Sequence, residues 1–107
     1  MPSYLYRIGY TSQAWATQVK HPLPRFEAVR PVVEGMGGKI TAAYYAFGED
    51  DVIFICDMPD NVSAAAFSIA AAAGGALTHV HTTPLMSVDE GLQAIKKSAA
   101  SAYKPPS

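Results

Sequence analysis

The sequence predicts one α+β domain built on a single antiparallel sheet, and three observations carry that reading. Residues 3–11, 39–47, 52–57 and 77–83 are rich in aromatic and β-branched residues and alternate with a period of two. The stretches between and after them carry helix caps and apolar spacings of three and four. The second and third runs are separated only by a short turn, Gly48-Glu49-Asp50-Asp51, which makes them a hairpin.

Each element has its own justification. In the first strand Tyr4, Tyr6, Ile8 and Tyr10 fall on one face and Leu5, Arg7 and Gly9 on the other. Thr11 or Ser12 caps a short helix to about Lys20, which His21-Pro22-Leu23-Pro24 interrupts. Pro24 suits the start of a second helix, whose Phe26, Val29, Val33 and Met36 form one apolar stripe. Pro31 predicts a kink near residues 27–30, and Gly37-Gly38 ends the helix. The second strand, Lys39 to Phe47, puts Ile40, Ala42, Tyr44 and Ala46 on one face and Thr41, Ala43, Tyr45 and Phe47 on the other. The third, Val52 to Asp57, is apolar on both faces until Asp57. Asp60 caps an Ala-rich helix that stops at Gly74-Gly75. Leu77 to Thr83 is the fourth strand. Ser87 with Glu90 three residues on is a capping box for a last helix, Val88 to Tyr103.

This order is the split βαβ, ferredoxin-like arrangement with an extra C-terminal helix. Residues 1–103 make one domain and 104–107 a frayed tail. The helices between strands cover one sheet face and leave the other bare. Strands with apolar residues on both faces need cover on both. A second copy supplies that cover, so a homodimer through the sheet faces is expected.

Composition excludes several functions. Eight Lys plus Arg against nine Asp plus Glu give a net charge of −1, with no electrostatic footprint for nucleic acid or an anionic membrane. A single Cys excludes an internal disulfide framework. The longest apolar stretch, residues 64–76, is short and Ala-dominated, no signal peptide is evident, and a cytoplasmic location is the expectation. Cys56, inside an apolar strand, reads as a small buried hydrophobe. No phosphate loop, H-E-x-x-H, G-x-S-x-G or paired-Cys motif occurs.

At this point the chain resembles the GYD-domain family of small bacterial proteins over roughly residues 3 to 97. The Tyr-rich first strand, Arg25-x-Glu27-x-x-Arg30, Gly37-Gly38-Lys39, Tyr44, Gly48, Asp51 and Pro59-Asp60 before the Ala-rich helix carry the likeness, in that order. The family's G-x-Y-D signature meets Gly48-Glu49-Asp50-Asp51 here, with Asp50 at the tyrosine position. The resemblance implies a dimeric α/β barrel and names no reaction. Related barrels host several chemistries, so the fold does not choose among them.

The residues themselves offer a few constellations. His79-x-His81 lies on an edge strand with both imidazoles on one face, suited to ligand contact, acid–base work or metal binding. Asp50, Asp51, Asp57 and His21 are the candidate third metal ligands. Tyr4, Tyr6 and Tyr10 share a face, and with Tyr44 or Tyr45 they line a pocket or form the dimer core. Arg7, on a central strand, anchors a ligand carboxylate or pairs with Asp57. Glu49, Asp50 and Asp51 form a solvated acidic turn in which Asp51 caps backbone N–H groups. Arg25, Glu27 and Arg30 make a surface ion pair, and His21-Pro22 a kink.

The function read from these residues is a homodimeric barrel binding a small aromatic or carboxylated molecule through Tyr6, Arg7, Tyr44, His79 and His81. Any chemistry would be cofactor-independent acid–base work by His79 and His81, with no metal site assigned. Two alternatives stay open: a non-catalytic assembly module presenting the Ala-rich helix, and a metal-dependent enzyme using His79 and His81.

Overall fold

Alternating exposure along the chain sorts its residues onto two faces of one sheet. The computed structural model describes residues 1–106, so the tail expectation for Ser107 lies outside the described residues. The elements are β1 (Ser3–Tyr10), α1 (Ser12–Lys20), α2 (Arg25–Gly35), β2 (Lys39–Tyr45), β3 (Val52–Asp57), α3 (Asn61–Ala73), β4 (Leu77–Leu85) and α4 (Val88–Ala99). The four strands are antiparallel neighbours in the order β2-β3-β1-β4, the ferredoxin-like topology, with β1 and β3 central and β4 at an edge.

The caps read from sequence are present. Thr11 Oγ1 accepts the Ala14 N–H at 3.1 Å, Asp60 accepts the Ser63 N–H at 2.8 Å, and Ser87 and Glu90 form the reciprocal capping box. Gly37, at φ +85°, lets the chain leave α2 in the left-handed region. Helix α2 continues through Pro31 as one segment. Pro31 and Glu27, whose carbonyl loses the missing N–H, are both exposed, so water can satisfy that oxygen.

One side of the sheet carries the core. Tyr4, Tyr6 and Ile8 of β1, and Val52, Phe54 and Cys56 of β3, are buried beneath Val33 of α2 and Ala64 and Phe67 of α3. Tyr6 stacks on Phe54 with ring centroids 5.1 Å apart and meets the edge of Phe67 at 5.1 Å. Its hydroxyl donates to the Ala64 carbonyl oxygen at 2.9 Å, and burial raises the hydroxyl above its ordinary pKa. Full burial of each such aromatic contributes about 1.5–3 kcal/mol. The tyrosine row is therefore core, but it is the core between helices and sheet within one chain, not one between copies.

The alternation predicted for β2 needs a correction. Ile40 pairs with Cys56 and Ala42 with Ile55, so Thr41 is an extra residue and the phase slips there. Ile40, Ala43 and Tyr45 face the helices, while Ala42 and Tyr44 turn to the open side. Ile40 and Tyr44 do not share a face, as strict alternation required. The strand also ends at Tyr45, where the Ala46 N–H donates to the Asp51 carbonyl at 2.8 Å and the loop begins.

The last helix stops at Ala99, short of Tyr103, and buries none of its residues. Its Val88, Leu92 and Ile95, spaced as one stripe, are exposed. With this arm the radius of gyration is 17.1 Å, against about 13 Å for a compact chain of this size.

Candidate functional site

The face away from the helices assembles most of the candidate residues. Across the sheet, Tyr44 pairs with Ile53, Ile53 with Arg7, and Arg7 with His81, so these residues form one row over all four strands. Neighbours in such a row lie about 4.8 Å apart in the pairing direction. His79 opposes Gly9 one pleat repeat along, and its ring centroid is 5.0 Å from that of His81. Leu5, Ile53 and Ile55 lie between the polar groups, and all are only half-buried.

Asp50 ties the row together from the β2–β3 loop. The Asp51 N–H donates to the Ile8 carbonyl at 2.8 Å, and Asp51 Oδ2 accepts the Tyr10 N–H at 2.8 Å. These two bonds pin the loop to β1. The carboxylate of Asp50, 8% exposed, then reaches the open face. Arg7 Nη1 donates to its Oδ2 at 3.3 Å, and His79 Nε2 bonds its Oδ1 at 2.9 Å. Both oxygens of one buried carboxylate are thus engaged, one by a guanidinium and one by an imidazole.

The candidates do not all meet. Arg7, Tyr44, His79 and His81 share the open face. Tyr6 lies on the opposite side, fully buried, with its hydroxyl occupied by Ala64, so it belongs to the core and touches none of the others. Arg7 pairs with Asp50, not with Asp57, which instead accepts the Ser3 hydroxyl at 2.6 Å. The acidic turn is not merely solvated: Asp50 is buried and Asp51 caps β1 rather than its own turn. The sequence reading named Asp50 only as a candidate third metal ligand and left it out of the ligand-binding set. Its position in the family signature marked it as unusual, but nothing in the sequence showed it folding back over the sheet. Among the described residues, no group of three or more His, Cys, Asp and Glu converges to hold a metal ion.

Cys56 is fully buried, and burial pushes its thiol up to about 12. The larger clefts lie elsewhere. One of about 470 Å³ sits at the α1–α2 break against Trp15, Pro22 and Tyr45, and one of about 360 Å³ lies between α2 and α3 over Ile8 and Phe67. Neither includes Arg7, Asp50 or the histidines.

An open antiparallel sheet with a charge-bridged polar row on its uncovered side defines the class: a small α+β protein with a ferredoxin-like fold. The GYD domain model matches residues 4–95, and the chain belongs to the GYD domain family. No curated protein matches it.

Proposed function

We propose that the protein is a homodimer whose open sheet faces meet and enclose a site for a small aromatic or carboxylated molecule. The observation that carries this is the Arg7–Asp50–His79 cluster set among uncovered apolar residues. Leu5, Ile53 and Ile55 supply surface that water is better excluded from, and Tyr44, 67% exposed, supplies an aromatic plane. Arg7 spends one donor on Asp50 and keeps others for a carboxylate. His79 and His81 set two imidazoles side by side, groups that can each accept or donate a proton. The exposed stripe of α4 favours a further contact between copies, which also accommodates an assembly role. No helix among the described residues is long and apolar enough to cross a membrane. Work in the cytoplasm is part of the same proposal.

Sedimentation equilibrium tests the assembly: a dimer is expected, and Ile53→Glu, which puts a charge in the middle of the face, shifts it to monomer. Titration with benzoate followed by NMR tests the site. Shifts are expected at Arg7, Tyr44 and His79 and are lost in Arg7→Ala. A monomeric parent protein, or benzoate shifts confined to the helix side, would overturn the proposal.

A further inference from the structure

A second irregularity in the sheet sits at the polar cluster. Gly9 pairs with His79 and Tyr10 with Leu77, so Thr78 is an extra residue on β4, a bulge that re-aims its side chain. Adjacent residues on a regular strand point to opposite faces. Here both Thr78 and His79 come to lie over Gly9: a Cβ on Gly9 would stand 2.6 Å from Thr78 Oγ1 and 2.6 Å from His79 Nδ1. Glycine at this position is what leaves room for the pair. Thr78 Oγ1 is 3.3 Å from His79 Nδ1, and His79 Nε2 is 2.9 Å from Asp50 Oδ1.

The protonation pattern follows from the partners. A carboxylate only accepts, so Asp50 fixes the proton of a neutral His79 on Nε2. Nδ1 is left with a lone pair, and the Thr78 hydroxyl donates to it. Exposure is graded along the chain of contacts, with Asp50 buried, His79 half-buried and Thr78 exposed. Hydroxyl, imidazole and buried carboxylate in that order are the parts of an acyl-transfer triad, which is recognised by geometry and roles and not by sequence position.

We propose that Thr78, His79 and Asp50 form an acyl-transfer relay for small carboxylic esters, with Thr78 Oγ1 as the nucleophile. The relay presupposes that the open face is the binding site. Oγ1 forms a bond to the ester carbonyl carbon while its proton passes to His79 Nδ1, and the carbonyl π pair moves onto oxygen. When the tetrahedral intermediate collapses, the C–O bond to the alcohol breaks and the His79 proton leaves with the alkoxide. Water, activated by the same Nδ1, then hydrolyses the Thr78 ester and releases the carboxylic acid. Asp50 orients His79 and balances its transient charge, and Arg7 holds Asp50 in place. Arg7 also stands one pleat repeat from Gly9, with donors free for the substrate's negative oxygen.

Incubation with p-nitrophenyl acetate tests this, reading nitrophenolate release and the mass of the acid-quenched chain. One acetyl adduct per chain is expected, mapping to Thr78 in the peptide digest. Thr78→Val should remove it and lower the initial rate at least about 100-fold, the scale of positioned general-base catalysis. Thr78→Ser should retain it, and His79→Asn should match the Thr78→Val loss. Thr78 is exposed, so its variants keep the fold, and circular dichroism verifies this for them and for His79→Asn. Adducts only on Lys, His or the N-terminus, or a Thr78→Val rate within twofold of the parent, would overturn the relay. Benzoate binding separates this from the preceding proposal: Thr78→Val should bind benzoate like the parent. Thr78 acylation without benzoate binding would keep the relay and sink the carboxylate site.

Discussion

The two faces of this sheet are made from the same strands and could hardly differ more. On β3, Phe54 is 1% exposed, while its neighbours Ile53 and Ile55 are half-open. On β1, Tyr6 lies against rings from two other elements, while Arg7, one residue on, holds a carboxylate in a polar row. Period-two alternation lets one strand bury its even residues in the core and present its odd ones on the open face. Substitutions on the helix side should therefore act through stability, and those on the open side through assembly and chemistry.

The sharpest way to break that contrast is to truncate adjacent residues. Phe54→Ala should cost about 3–5 kcal/mol in denaturant unfolding, because rings on both sides lose a partner and the cavity cannot fully close. Ile53→Ala should cost less, and the loss should depend on protein concentration if a second copy covers the face. Equal, concentration-independent losses would erase the distinction between the faces. Next in size is Asp50→Asn. It weakens two charge-assisted contacts at a nearly buried position and should cost about 1–3 kcal/mol, with loss of benzoate shifts at Arg7.

Smaller effects sharpen the comparison. Tyr44→Ala should alter thermal stability of an isolated monomer by no more than about 0.5 kcal/mol, as an exposed site does, while weakening dimer and ligand together. Cys56 makes the helix side visible through pH. Its folded-state thiol is pushed up to about 12 from 9.0, so the folded state disfavours the thiolate. The stability this contributes is fully present below about pH 9 and fades as pH rises toward 12. Burial raises Tyr6 in the same direction. Alkaline unfolding should thus be less steep in Cys56→Ala, and iodoacetamide at pH 8 should label the native protein far more slowly than the unfolded chain.

Much of this fold is legible in the sequence. The apolar run Val52–Asp57, the Asp60 cap and the Ser87–Glu90 box each encode their element locally, and the turn residues fix the hairpin. The faces of β1 were legible because its alternation is unbroken across the core. What escaped depended on single inserted residues and long-range folding. A bulge at Thr41 reversed the phase of β2, and one at Thr78 turned a hydroxyl toward His79; neither residue type announces a bulge. Arg7 found Asp50 and not Asp57 because Asp51 clamps the loop to β1, through a contact between residues 41 apart in sequence. Acids in a turn default to solvent, so the burial of Asp50 had no local signal.

The two rims of the sheet also bear on how copies can meet. On one rim β2 is short, begins with an exposed Lys39 and carries the Thr41 bulge. On the other, β4 contains the exposed Pro84, which has no amide proton to lend to a fifth strand. Rims blunted in this way resist strand-by-strand growth into fibres. The broad face is left for association: two copies meeting there, as proposed, would occlude each other and close the assembly at a finite size.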